Sequence, residues 1–253
     1  VAFIILMFFP IQYRLPADCR VQPVIRRTVA APFENILDKA YVKPGDDVKT
    51  GDILAELDGR EVRVSLAEAI ASRNAAYKKR DSAMVNSNAA DQQMAQLEAK
   101  RADEEVKRLT YRNENLIIRS PIDGLVLTGN LERSEGVPVT TGQKLYEIAP
   151  LDEMILEIAI PEGEIRHATP GMEVQMRLES ETGRVWETEI LNIHPVSEVK
   201  DGENVFVAEA RVLNEDEVLR PGMKGSIRVL AEKKSIGWIL FHRLWEYIRL
   251  KLW

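Results

Sequence analysis

The sequence predicts a mainly β protein with an α-helical hairpin: a split β-sandwich interrupted by a coiled-coil insertion, accompanied by a small β-barrel. Three observations carry the prediction. A Gly-x-x-Val-x-x-Gly-x-x-Leu skeleton occurs at Gly45–Leu54 and again at Gly136–Leu145, 91 residues later. The stretch 60–115 between the copies contains neither glycine nor proline and is rich in good helix formers. After Pro150 the apolar residues alternate with polar ones, which is the period of a half-buried strand.

Taken in order, the chain opens with nine apolar residues, Val1 to Phe9, followed by Pro10. Nine helical residues rise about 13 Å, less than half of a ~30 Å bilayer core. The run therefore reads as the outer end of a transmembrane anchor assigned to residues 1–18, with Phe8 and Phe9 at the membrane interface. The competing reading is a buried N-terminal strand, since Phe and Ile also suit strands. No basic segment precedes the run and no small-residue cleavage site follows it, which disfavours a signal peptide. Pro16 and Asp18 break a lipoprotein acylation pattern, so Cys19 reads as an ordinary thiol. Residues 19–30 can supply a first barrel strand.

The first half of the sandwich is 31–58 and the second is 116–149. Upstream of each Gly skeleton stands a matching block, Ala31-Pro-Phe-Glu-Asn-Ile36 and Ser120-Pro-Ile-Asp-Gly-Leu125, offset by 89 residues. Gly45, Gly51, Gly136 and Gly142 suit turns with positive φ, and Gly222 suits a similar turn later in the chain. Neither half is large enough to bury a core alone; paired, they make a compact sandwich. Between them, residues 59–115 predict two antiparallel helices of about 25 residues, each about 38 Å long. The expected seam runs Val62, Leu66, Ala69, Ile70, Arg73, Ala76 and Tyr77, then Met94, Leu97 and Arg101, then Val106 and Leu109. Asn86-Ser-Asn88 is the one turn-like spot, and Asn88 or Asp91 can cap the return helix. A single long coiled-coil arm for dimerisation is the plainer alternative.

Residues 150–232 predict the rest of the barrel: strands near 154–160, 173–178, 183–193, 205–212 and 219–229, with a short helix and turn at 164–171. This stretch holds 8 Lys+Arg against 18 Asp+Glu, whereas residues 233–253 hold 5 against 1. In the tail, His242, Glu246, Arg249 and Trp253 form one mainly polar stripe, while Trp238, Phe241, Leu244, Trp245, Ile248 and Leu252 cover the remaining face. That is an aromatic amphipathic helix, suited to a membrane interface through Trp238, Trp245 and Trp253 or to docking on a protein surface. Five ionisable groups in the 19 residues 235–253 argue against a span.

Composition excludes several functions. One cysteine rules out a disulfide framework and a multi-cysteine zinc site. The three histidines, His167, His194 and His242, have no metal-ligand spacing. A net charge of −6 argues against a general nucleic-acid binder. Glu162/Glu164 and Glu187/Glu189 are i,i+2 pairs that decorate one strand or loop face, so no catalysis is expected.

The order of these blocks, Val42–Leu57, Ser120–Gly124, Gly136–Ile148 and Leu219–Gly225, resembles the haemolysin-D-type membrane fusion proteins, the periplasmic adaptors of efflux and secretion systems. The resemblance spans about residues 20–230. It implies a lipoyl-like sandwich, attachment to the inner membrane by a single N-terminal anchor with the bulk in the periplasm, a transporter partner, self-association, contact with membrane lipid, and an outer-membrane channel as a further partner. Members that dock such a channel carry Arg-x3-Leu-x6-Ser across the hairpin tip; here the spacing meets Arg80, Met84 and Asp91, and only Arg80 matches. The implied tip contacts are Arg80, Met84, Asn86, Asn88 and Asp91. The sandwich is also similar to biotinyl and lipoyl carriers, but the helical insertion after Asp58-Gly59 replaces their lysine turn, so no cofactor is expected. A structural scaffold beside a membrane protease is the remaining alternative.

Overall fold

The structure is a computed structural model that describes residues 10–86, 89–129, 131–181, 183–200, 202–235 and 237. The strands and helices follow as β1 (Pro10–Pro23), β2 (Arg27–Ala30), β3 (Asn35–Ala40), β4 (Asp47–Val48), β5 (Ile53–Leu57), α1 (Arg60–Asn86), α2 (Ala89–Glu114), β6 (Ile117–Arg119), β7 (Gly124–Thr128), β8 (Pro138–Val139), β9 (Lys144–Ala149), β10 (Glu153–Pro161), β11 (Glu173–Leu178), β12 (Trp186–Lys200), β13 (Glu203–Leu213) and β14 (Lys224–Ser235). They divide into two units: one holds the chain up to Val24 and from Leu151 on, the other Ile25–Pro150.

The first unit is a closed barrel with strand order β1-β10-β13-β12-β11-β14. Its interior follows directly from alternation. Tyr13, Leu15, Ala17, Cys19 and Val21 of β1 point inward, as do Met154, Leu156, Ile158 and Ile160 of β10 and Val174, Met176 and Leu178 of β11. Burying each large aliphatic side chain contributes about 1.5–3 kcal/mol. In β12 the register slips between Ile193↔Ala208 and Ser197↔Phe206. Pro195 lies in that bulge, where its missing N–H costs no ladder bond. The helix expected at 164–171 is a 3-10 turn, Glu162–His167.

Two boundaries differ from the sequence reading. Residues 10–18 were expected in the anchor and instead form the first part of β1, paired with β14 from Pro10↔Ser235 to Asp18↔Ser226. The inward alternation from Tyr13 to Val21 is what extends the strand. Pro16 does not end it because the stretch before Asp18 has β14 but not β10 beside it. Residues 27–30 were expected in the barrel and instead pair with β9 in the other unit.

That second unit is a sandwich of two four-stranded sheets, β2-β9-β7-β4 and β6-β5-β3-β8. The two sequence halves interleave with internal two-fold logic. Gly45 N–H donates to Val126 O, and Gly136 N–H donates to Leu37 O. Gly51 N–H donates to Ser120 O and Ser120 N–H to Asp52 O, while Gly142 N–H donates to Ala31 O and Ala31 N–H to Gln143 O. Each half thus closes its glycine turns on the other half's Pro-containing block. Leu37, Leu54, Val126, Leu145, Tyr146 and Ile148 fill the core, with Tyr146 donating its hydroxyl to Leu54 O at 3.1 Å.

The hairpin helices belong to the same unit. At the root, Asp58 accepts the Arg60 backbone N–H at 2.9 Å, and Val62 and Leu116 join the sandwich core. The seam matches the expected one at Ala69, Ala76, Val106 and Leu109 and departs from it elsewhere. Ala69 and Ala76 of α1, with Ala95, Ala99, Val106 and Leu109 of α2, are buried. Met94 and Leu97, read from sequence as seam residues, are 68% and 49% exposed, and Ile70 also faces solvent. The helices meet through small side chains, which leaves the larger apolar ones one helical position away from the contact.

Candidate partner-docking site

The hairpin end opposite the sandwich gathers most of the tip residues predicted from sequence. Arg80 stacks its guanidinium 4.6 Å from the Tyr77 ring centre and bonds the neighbouring Asp81 at 2.7 Å. Tyr77 in turn donates its hydroxyl to Asp103 on α2, a contact that holds the phenol proton and raises its pKa. Lys79 bridges to Glu98 at 2.6 Å. These cross-helix contacts fix the register of α1 on α2 just below the tip. Arg80 is therefore engaged locally through both its face and its edge.

Beyond that belt, exposed apolar side chains stand among polar ones such as Asp81, Asp91 and Gln93. Met84 is half exposed and Val85 is 80% exposed, with Met94 across the turn. Gln92 Nε2 reaches Met84 O at 3.4 Å. Asn86 is the last residue of α1, and Asp91 sits in the first turn of α2, where the helix dipole favours a carboxylate. Asn88 lies outside the described residues, as do Phe8, Phe9, Trp238, Trp245 and Trp253. The sequence reading missed Val85 and placed Met94 and Leu97 in the seam. A β-branched residue beside Asn-Ser-Asn was the available signal for an exposed apolar tip. Side chains of this kind suit contact with protein; they are not reactive groups.

The five turn glycines have positive φ: 99° at Gly45, 91° at Gly51, 79° at Gly136 and at Gly142, and 90° at Gly222. Two glycines not singled out from sequence are more tightly confined. A Cβ at Gly124 would stand 2.5 Å from the Ala149 carbonyl, and one at Gly129 would stand 2.4 Å from Tyr146 Cδ1.

A second surface lies on the barrel wall, a groove of about 930 Å³. Its floor is a grid set by strand register: Pro16↔Arg228↔Gln175, Asp18↔Ser226↔Arg177 and Arg20↔Lys224. Nearby, Lys200 approaches Glu157 at 3.5 Å. It is a charged, open surface without a convergent nucleophile. Among the described residues no group of three His, Cys, Asp or Glu side chains is placed to hold a metal ion, and no helix is long and apolar enough to cross a membrane.

The family described as "RND MFP, barrel-sandwich hybrid domain" matches residues 27–149, and "CusB-like, beta-barrel domain" matches residues 155–233. The chain is 26% identical over 239 residues to the nodulation protein NolF of Rhizobium meliloti (strain 1021), covering 85% of this chain and 63% of that protein. It is 21% identical over 253 residues to the macrolide export protein MacA of Yersinia pestis, covering 87% of this chain and 68% of that protein. Among solved structures, a MacA–MexA chimera containing the Pseudomonas aeruginosa MexA α-hairpin domain superposes with a TM-score of 0.77 at 24% identity, covering 90% of this chain and 84% of the chimera. The chain thus spans about two thirds of the length of these curated relatives.

Proposed function

The chain belongs to the RND-type membrane fusion protein family, and from that premise we propose that it is a membrane-attached periplasmic adaptor, linking an inner-membrane transporter to a further partner for efflux or secretion and performing no catalysis of its own. The haemolysin-D-type kinship read from the sequence is the finer assignment within this reading. The observation that carries it is the interrupted sandwich. Its two halves close on each other's turns, and the hairpin leaves from between them where a carrier domain would present its lysine. A rod rooted in the sandwich holds the exposed apolar side chains Met84 and Val85 at fixed reach from the core that supports it.

Further support comes from the names of the relatives, MacA being a macrolide export protein. The expected partners are a transporter, copies of this chain, membrane lipid, and an outer-membrane channel at the hairpin tip. The mismatch at Met84 and Asp91 makes that last partner the most testable.

The test is site-specific photo-cross-linking in cells. A cross-linker at Val85 and another at Arg228 are introduced separately, and the adducts are identified by mass spectrometry. The reading expects a polytopic transporter among the Arg228 adducts and an envelope protein at Val85. Adducts confined to cytoplasmic proteins, or a biotinyl or lipoyl mass on the intact chain, would overturn it.

A further inference from the structure

We propose that the groove in the barrel wall is a binding site for a small soluble molecule carrying a phosphomonoester, which seats on Ser226, Arg177, Lys224 and Arg228 while Asp18 accepts from a hydroxyl beside the phosphate. The proposal is independent of the adaptor reading, which uses Arg228 only as a position for a cross-linker. It comes from strand register. Ala17, Cys19, Ile227 and Val229 belong to the barrel core. Alternation therefore puts Asp18 and Arg20 of β1, with Lys224, Ser226 and Arg228 of β14, together on the outer face, where all five are exposed. Ser226 stands at the centre of a cross. Lys224 and Arg228 lie two residues away on either side along β14, while Asp18 is its registered neighbour on β1 and Arg177 on β11. Neighbouring strands are about 4.8 Å apart, so long side chains from all three cationic positions reach over the short serine.

The cluster is unpaired within the chain. Elsewhere in the barrel Arg184 meets Asp216 at 2.6 Å, Lys200 meets Glu157 at 3.5 Å and Arg211 meets Glu153 at 3.6 Å. Among the described residues, Arg20, Arg177, Lys224 and Arg228 have no carboxylate within 4.0 Å, and the Ser226 hydroxyl has no hydrogen-bond partner. Arg20 and Lys224 are registered directly opposite each other, a like-charge pair that destabilises an antiparallel sheet until an anion joins it. These cations gather although residues 150–232 hold 8 Lys+Arg against 18 Asp+Glu. Asp18, Glu179 and Glu203 also face the groove. They repel a bare anion and favour one that brings hydrogen-bond donors beside its charge. A carboxylate offers two oxygens and a single charge. A phosphomonoester offers three terminal oxygens and a charge of about −1.5 to −2, which matches three cations and one hydroxyl donor. The rest of the groove, walled by Lys200, Glu203 and Val205, brings its volume to about 930 Å³, enough for the body of a small molecule.

The experiment is isothermal titration calorimetry on the purified full chain in a buffer free of phosphate and sulfate, with glycerol 3-phosphate, inorganic phosphate and glycerol as separate titrants. The expected result is saturable binding of glycerol 3-phosphate, weaker binding of inorganic phosphate and none of glycerol. Arg177→Gln, Arg228→Gln and Ser226→Ala should each weaken glycerol 3-phosphate by roughly fivefold. Arg220→Gln, at an exposed cation outside the groove, should change nothing. Asp18→Asn should tighten inorganic phosphate and narrow the preference for glycerol 3-phosphate. All these side chains are exposed, so the variants should keep the wild-type melt. Glycerol 3-phosphate should raise the melting temperature of the wild type but not of Arg177→Gln/Arg228→Gln. Absence of saturable binding would overturn the proposal. So would equal weakening by Arg177→Gln and Arg220→Gln, which would reduce the effect to general charge attraction. Binding confined to vesicles containing phosphatidic acid, which carries the same phosphate group on a lipid, would overturn the soluble source.

Discussion

Tyr13 and Glu164, 151 positions apart in sequence, meet inside the barrel end, where the phenol donates to the carboxylate at 3.0 Å and both side chains are buried. The contact ties the 3-10 turn Glu162–His167 to β1. Tyr13→Phe keeps the packing but leaves a buried carboxylate one donor short, which costs about 1–3 kcal/mol. Glu164→Gln keeps an acceptor for the hydroxyl without the buried charge and should cost less. Urea unfolding followed through Trp186 fluorescence ranks the two; the reverse order would mean that the turn is held by packing alone.

Gly129 and Gly142 both have positive φ but differ in space. At Gly142 an added Cβ meets nothing within 4 Å, so Gly142→Ala costs only the left-handed backbone penalty, about 1–2 kcal/mol. At Gly129 it meets the Tyr146 ring and, at 2.5 Å, the Leu145 carbonyl, which cannot move without breaking β9. Gly129→Ala should therefore cost about 3 kcal/mol or more. Thermal melts of the two variants check the difference.

Burial pushes the Cys19 thiol up from 9.0 to about 12. The folded barrel holds the proton more tightly than the unfolded chain. The associated stability is complete below about pH 9 and is lost as pH rises towards 12. Maleimide should label the native protein negligibly at neutral pH and label it fully in denaturant. Cys19→Ala should flatten the alkaline loss of stability.

At the hairpin root the sign is opposite. The Arg60 guanidinium and backbone N–H beside Asp58 draw its carboxyl down from 3.8 to about 2. The stabilisation it lends α1 is present above about pH 4 and fades as pH falls towards 2. Asp58→Asn keeps an acceptor for the Arg60 N–H and should remove that acid dependence while retaining most of the helix. Circular dichroism across the acid range reads both effects.

Much of this architecture was legible because it is written in periodicities. The 89- and 91-residue offsets between the two halves reappear as the hydrogen bonds Gly45–Val126 and Gly136–Leu37. Alternation marked the barrel strands, since one buried face demands it. What escaped were features set by tertiary neighbours. Residues 10–18 read as part of the anchor until β14 pairs with them. Arg27–Ala30 reads as another barrel strand until β9 claims it. Gly129 is confined by the Tyr146 ring and the Leu145 carbonyl, 17 and 16 positions away. The tip was legible in part: the turn at Asn86 marked where the apolar residues would surface, but the helical period could not say which of two adjacent stripes would face inward.

That choice of stripe yields the last prediction. Ala99 is 2% exposed where α2 crosses α1, near the level of the Lys79–Glu98 bridge. Small side chains there let the helices approach closely, so Ala99→Leu must push them apart or distort a rotamer, at about 1–3 kcal/mol. Met94→Gln and Leu97→Gln alter only exposed side chains and should change stability by no more than about 0.5 kcal/mol. The same two substitutions remove apolar area from the side and tip of the rod. If those residues remain in solvent because a partner covers them, the pair should weaken cross-linking from Val85 without changing the melt. A melt that falls with Met94→Gln would return these residues to the seam and remove them from the docking surface.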